Sequence, residues 1–258
     1  MMNRRSWLAA SGAAALSASV RFRLAICSET FPGASFFGIC QSARRTGYTG
    51  LEIDPSNLSS DPASLGAAER RSLSNQMKVN GLHYCGLHSF LKAPSGLHLT
   101  TPDATVRTRT WEYFARLIDL AADLGPSPVM VLGSSKQRQA IDGATPADAA
   151  KRLAEGLSKV APQAARRGLT ILVEPLAPHL CNVVNTMAEA IAIGNAAHLN
   201  RDFFAINNAV PHGHCRGPLT DNGALAAHPG KKNLNEALGF VNHFNVMPIL
   251  AQPHLALS

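Results

Sequence analysis

The chain has 258 residues, of which 46% are hydrophobic and 16% charged, with a formal net charge of +7. Those totals suit a soluble globular protein with a substantial core, and a single α/β barrel routinely reaches this size. No run of about 18 apolar residues occurs, which excludes a helical membrane span.

The positive charge favours anionic partners, nucleic acid among them. Two of the charges, however, sit at Arg4 and Arg5, in the expected leader. Many others fall in pairs, Arg44/Arg45, Arg70/Arg71, Arg166/Arg167 and Lys231/Lys232, mostly on predicted helices. That is the pattern of a solvated outer face, and no nucleic-acid partner is expected. The five cysteines, Cys27, Cys40, Cys85, Cys181 and Cys215, are odd in number and far apart, without metal-finger or redox spacing. Cys27 and Cys85 lie in apolar runs and read as small core residues.

Residues 1–20 read as an export signal. Arg4 and Arg5 form a twin-arginine head, and the alanine-rich stretch from Leu8 to Val20 offers small residues for cleavage. The expectation is an exported, periplasmic protein whose single domain covers 21–258. An uncleaved amphipathic start on a cytoplasmic protein is the alternative.

From Arg21 onward strands and helices alternate. Phe22 to Cys27 is a strand ending in Ser28-Glu29-Thr30, and Ser35 to Thr46 has helical spacing and stops at Gly47. Gly50 to Ile53 is a second strand carrying Glu52 and leading to Asp54. A helix is expected from about Pro62 to Val79, opened by Ser60 or Asp61 as cap. Gly81 to Phe90 is a third strand region with His83 and His88, followed by a long loop. Thr101-Pro102-Asp103 opens a helix running to Leu124. Val129 to Leu132 is the fourth strand, and Thr145-Pro146 starts a helix that ends at Gly168. Thr170 begins a fifth strand that runs through β-branched residues straight into Glu174 and Pro175, and Thr186 to Ala197 is the next helix.

This alternation demands a parallel sheet, since parallel neighbours need a crossover. There is no glycine-rich phosphate turn after the first strand, and neither GxGxxG nor a Walker sequence is present. A closed (β/α)8 TIM barrel is therefore favoured over a doubly wound nucleotide-binding sheet. Past residue 198 the regularity fails. Phe203 to Asn207 reads as strand six, Leu234 to Phe244 as a helix and Val246 to Ala251 as the last strand. Fewer than forty residues lie between the two strands, and many are Gly or Pro. The final quarter of the barrel is thus expected to be shortened or irregular.

The strand ends carry a consistent set of polar groups: Glu29, then Glu52 and Asp54, then His88, then Lys136 and Arg138, then Glu174. If the barrel closes, all converge on one mouth, where barrel chemistry is placed. Carboxylates with imidazole suit a divalent ion such as Mn, Mg, Co or Zn. Adjacent lysine and arginine suit an anionic or hydroxyl-rich substrate. Taken singly, Glu174 also reads as a solvated loop acid, His88 as a satisfied core histidine, and Lys136 and Arg138 as loop charges.

Several motifs in order, CSETF at 27–31, ARRTGYTGLEI at 43–53, GLH at 86–88, SGLHLTTPD at 95–103, VMVLGSSKQR at 129–138 and ILVEPLAPHLCNVVNT at 171–186, resemble the sugar phosphate isomerase/epimerase family of xylose isomerase-like barrels. The resemblance covers roughly 21–195. It implies one divalent metal held by two glutamates, an aspartate and a histidine, with acid/base groups moving a proton beside a sugar carbonyl. Glu174 matches the first metal-binding glutamate and shares a catalytic role with His88. Glu29, Glu52, Lys136 and Arg138 take substrate-contact roles, the substrate being a small sugar or sugar phosphate.

The tail departs from that pattern. Where the family resembles F-D-x-H-N-A-V, this chain has Phe204, Ala205, Ile206, Asn207, Asn208, Ala209 and Val210, and Gln252 stands where the last strand closes on a glutamate. Asn207 and Gln252 thus occupy expected ligand positions. Neutral amides bind a divalent ion far more weakly than anionic ligands, and proton transfer on both faces of a carbon needs two titratable groups. Two readings follow: a metal-assisted sugar isomerase or epimerase, and a barrel that binds a sugar without turnover or is a decayed copy. An abasic-DNA endonuclease of related fold would need a multi-zinc set that the sequence lacks.

Overall fold

The computed structural model describes residues 23–197 and 204–206. Among the described residues there are six strands: β1 Ala25–Cys27, β2 Gly50–Ile53, β3 His83–His88, β4 Val129–Leu132, β5 Thr170–Val173 and β6 Phe204–Ile206. Five helices connect them: α1 Phe36–Arg45, α2 Ala67–Val79, α3 Ala104–Leu124, α4 Pro146–Arg166 and α5 Met187–Ala196. All neighbouring strands are parallel and their spatial order is their chain order, β1 to β6. A doubly wound sheet reverses direction after its first strands. Here every crossover adds the next strand on the same side, as in a TIM barrel. The strand expected near 246–251, the helix expected at 234–244 and the ligand positions Asn207 and Gln252 lie outside the described residues, as does the leader.

The two-residue period of each strand sorts its side chains. Leu51, Ile53, Leu87, Met130, Leu132, Ile171 and Val173 join one buried cluster with Phe114, Leu117 and Ile118 of α3 and Leu153 and Leu157 of α4. Val131 and Leu172 form a separate small cluster with Val129. Helix-facing and barrel-facing layers are thus distinct. Glu52, between Leu51 and Ile53, and His88, after Leu87, belong to the barrel-facing set. So does Glu174, two residues beyond Leu172.

The helix starts are fixed by side-chain caps, as the sequence implies. The Asp103 carboxylate accepts from the Thr105 N–H at 2.8 Å and the Val106 N–H at 3.1 Å. Thr145 with Asp148 and Thr186 with Glu189 form reciprocal capping boxes. Three boundaries differ from expectation. The first strand begins only at Ala25, with Arg23 and Leu24 outside it. Pro62–Ser64 is a separate 3-10 turn, whose Ala63 N–H donates to the Tyr113 hydroxyl at 3.3 Å. Leu65 is extended, so α2 opens at Ala67, where Glu69 Oε2 accepts from the Gly66 N–H at 2.7 Å. Asp61 makes no side-chain cap. The third strand is also shorter than 81–90. Gly81 and Leu82 close the end of α2 by donating to Lys78 O and Met77 O, both at 2.9 Å, and Ser89 leaves the strand with φ 51°.

One irregularity in the sheet decides where His88 points. The β2–β3 register shifts, with Leu51 opposite Tyr84 but Glu52 opposite Gly86. Gly86 has φ 145°, and a Cβ there would overlap the backbone of Val129. The bulge turns Leu87 toward the helices and His88 toward the barrel interior.

Candidate active site at the strand ends

Glu52 ends up 5% exposed, and its Oε2 lies 3.6 Å from His88 Nδ1. Burial works against an imidazolium at His88, but the carboxylates of Glu52, Glu174 and Glu29 outweigh it and push its pKa up to about 9. At neutral pH His88 is therefore a cation held among acids.

Glu174 follows β5 directly, and its N–H reaches back to Leu132 O at 3.4 Å. Its carboxylate rests on Gly133, where a Cβ would overlap Oε2 and would lie 3.9 Å from His88 Cε1. Burial raises the Glu174 pKa, opposed by His88 and Arg138 and assisted by Glu52 and Glu29. Glu52, His88 and Glu174, from three different strand ends, thus form one electrostatic group.

Arg138 is 0% exposed. Its Nη2 donates to the backbone carbonyl of Glu174 at 2.5 Å, while Nε and Nη1 are buried without a hydrogen-bond partner. Burial lowers its pKa, with the charge of Glu174 among the opposing influences. Around it the β4–α4 and β5–α5 loops are stitched together. The Ala140 N–H donates to Asn182 Oδ1 at 2.8 Å, Asn182 Nδ2 donates to Ala140 O at 3.2 Å, and Gln139 Nε2 donates to Leu180 O at 3.0 Å. Lys136 is on the exposed 3-10 turn Ser135–Gln137. Of the two cations expected to face substrate, one is thus inside the protein and the other at its surface.

Lys92 is a member of the site that the strand-end pattern does not mark. Its ammonium lies 2.7 Å from Glu29 Oε2 and 2.7 Å from Asp54 Oδ2. Burial disfavours its charge, but the bonds to Asp54 and Glu29 win and raise its pKa. Asp54, 2% exposed, also accepts from the Ser56 N–H at 2.9 Å and the Ser56 hydroxyl at 2.7 Å. Ser28 Oγ receives the Asp54 N–H at 2.8 Å and donates to Asn57 Oδ1 at 2.7 Å. This network joins the ends of β1 and β2 to the loop after β3. Nothing in the sequence singles out Lys92, because it sits in an aperiodic loop rather than at a strand end.

The side chains in place give the implied metal little to bind. Among the described residues no group of three His, Cys, Asp or Glu side chains is gathered closely enough to hold an ion. Glu174 is the one matching ligand position they contain. The described donors alone do not make a metal site. Cys27, Cys40, Cys85 and Cys181 are free thiols.

A family model described as a xylose isomerase-like TIM barrel matches residues 40–239. A search of curated proteins finds no match. Among solved structures, a D-psicose 3-epimerase determined in the presence of D-fructose superposes with a TM-score of 0.59 at 19% identity, covering 70% of this chain and 61% of that one. A D-psicose 3-epimerase from Clostridium cellulolyticum H10, determined with D-tagatose, gives 0.59 at 17% identity, with 70% and 61% covered. A 3-keto-D-glucoside 4-epimerase from E. coli gives 0.58 at 15%, with 72% and 67% covered. The chain spans 61% of the length of the first two, and at these identities the likeness is one of fold. With its ordered parallel strands, its acids and histidine gathered at the strand ends, and the family match over most of its length, this chain belongs to the xylose isomerase-like TIM barrel family.

Proposed function

We propose that the protein is a sugar isomerase or epimerase that moves a proton beside a sugar carbonyl. The observation that carries this reading is the grouping of Glu52, His88 and Glu174 on the barrel-facing side of three strand ends. Glu174, with its pKa raised by burial, is a stronger base than an ordinary carboxylate. It takes the proton from the carbon beside the carbonyl. His88, kept charged by Glu52, donates a hydrogen bond to the carbonyl oxygen as negative charge develops there. His88 passes its proton to that oxygen and recovers one from the neighbouring hydroxyl, and return of the proton from Glu174 to the neighbouring carbon completes an isomerisation. Epimerisation needs a second titratable group on the opposite face.

A divalent ion (Mn, Mg, Co or Zn) with Glu174 as one ligand belongs to the same family-based reading. Its chemistry would be polarisation of the carbonyl, and the proton transfer by Glu174 and His88 does not depend on it. The twin-arginine leader places this activity outside the cytoplasm in the proposal, and fractionation of cells expressing the full chain tests that part.

The second reading, sugar binding without turnover, is favoured by Asn207 and Gln252 at expected ligand positions. One experiment separates the two. The full chain is incubated with free ketoses in deuterium oxide, with and without added Mn, and carbon-bound deuterium is followed by NMR. Incorporation lost in Glu174→Gln supports the enzyme. Binding without incorporation supports the second reading.

A further inference from the structure

Among the described residues, the charged groups that meet at the mouth are engaged with one another. Glu52 and Glu174 lie beside His88, while Glu29 and Asp54 are bridged by Lys92. Four carboxylates therefore face one ammonium, one imidazolium and, behind Glu174, the buried guanidinium of Arg138. Arg138, expected to add positive charge, has no exposed atom, and Lys136 is exposed on its own turn. A phosphate dianion meeting these groups finds the ammonium and the imidazolium already held by carboxylates, and it would have to displace a carboxylate to bind either.

Lys92 is built differently from a bare surface lysine. Its side chain is 46% exposed, yet two carboxylate oxygens at 2.7 Å fix the ammonium. An ammonium has three donors, and these contacts occupy two. Glu29 is 41% exposed and is engaged through Oε2 alone, which leaves Oε1 as an acceptor beside the third N–H. A donor and an acceptor held side by side in a half-open position match two adjacent hydroxyl groups, one accepting and one donating. Glu29 follows β1 and Asp54 follows β2, so the bridged pair sits at the same end of the sheet as Glu174, and Glu29 bears electrostatically on both His88 and Glu174.

We infer that Lys92 and Glu29 form a substrate contact that takes vicinal hydroxyls of an uncharged sugar and discriminates against its phosphate ester. The inference rests on the reading of this mouth as a sugar site and adds to it a contact residue and a substrate class.

The test is calorimetric binding to the full chain, with D-fructose, D-fructose 6-phosphate and inorganic phosphate as probes. Fructose is expected to bind, and its phosphate at least tenfold more weakly. Lys92→Met and Lys92→Gln should each weaken fructose binding at least tenfold, while Lys78→Met, at the far end of α2, leaves it unchanged. Tighter binding of the phosphate ester, no binding of either sugar, or unaltered fructose binding in a folded Lys92 variant overturns the inference. The wild-type preference needs no variant, so misfolding of one does not shield the idea. Deuterium incorporation is read separately. Fructose binding that depends on Lys92, without turnover, sinks the proposed catalysis and leaves this contact standing. Turnover that is indifferent to Lys92, with unaltered fructose binding, does the reverse.

Discussion

Arg138 Nη2 donates to the backbone carbonyl of Glu174 at 2.5 Å, so the guanidinium grips the main chain of the residue whose carboxylate is placed at the mouth. Its remaining Nε and Nη1 donors are buried without partners. Burying a charged donor without a partner is costly, and the side chain has no exposed surface. The arginine therefore acts through Glu174: it pins the strand-to-loop turn that aims the carboxylate.

Replacing Arg138 separates its two effects. Arg138→Met keeps most of the volume and removes the two orphaned donors along with one bond. Unfolding stability is expected to stay within about 1 kcal/mol of wild type, since apolar replacement of buried charge is often neutral. Arg138→Ala leaves a cavity and should cost about 3 kcal/mol. Both variants should lose at least about tenfold in turnover, because a small displacement of a reacting group is expensive. Urea unfolding beside a deuterium-exchange assay checks both halves. Unchanged turnover in Arg138→Met would show that the grip on Glu174 is idle.

Gly133 is the floor under the Glu174 carboxylate. A methyl at this position would overlap Oε2 while leaving the buried strand core untouched. Gly133→Ala should therefore displace the carboxylate and abolish most turnover, with a stability loss of about 1 kcal/mol. Circular dichroism melting together with the exchange assay tells this from general unfolding. Full activity in the variant would place the working carboxylate elsewhere.

How much of the fold and site is legible in the sequence depends on periodicity. β5 announces itself because apolar, mostly β-branched residues run straight into Glu174, and the caps at Asp103, Thr145 and Thr186 announce α3, α4 and α5. The grouping of Glu52 with His88 follows from strand-end position, though their 3.6 Å approach depends on the β-bulge, which no period reveals. Two cations are harder to read. Lys92 lies four residues past the end of β3, where the chain follows hydrogen bonds rather than a repeat. Arg138 looks like a loop charge until the stitching of Ala140 to Asn182 shows the loop folded over it. The start of α2 is misleading because Pro62 and Asp61 imitate a helix opening, whereas the tie from Ala63 to Tyr113 holds a 3-10 turn there.

His88 gives the protein a pH signature. Its pKa is raised from the ordinary imidazole value of 6.5 to about 9 in the fold. The stabilisation from its charged form is therefore fully present below about pH 6.5 and lost as pH climbs through about 9. The loss is about 3 kcal/mol. Urea unfolding at pH 6 and pH 9.5 should show that decline in wild type and a flatter profile in His88→Gln. Turnover should fall over the same alkaline limb, because the neutral imidazole is the weaker donor to a developing oxyanion. Identical pH profiles for the two proteins would remove His88 from the charged group.

Gly86 is where the geometry of the site has its narrowest tolerance. Its φ of 145° belongs to a region that side chains rarely adopt, and any Cβ would run into the backbone of Val129 on the neighbouring strand. The neighbouring strand cannot give way, since Val129, Met130, Val131 and Leu132 are each paired to β5. Gly86→Ala should therefore cost at least about 4 kcal/mol, among the larger losses expected of a single methyl. Soluble yield and unfolding by urea are the measurements. A partly folded Gly86→Ala protein should also lose the Glu52–His88 contact, because the bulge is what turns His88 inward, and its unfolding should then show none of the alkaline decline tied to that histidine. A variant that folds with wild-type stability and keeps that decline would mean that the bulge does not place His88.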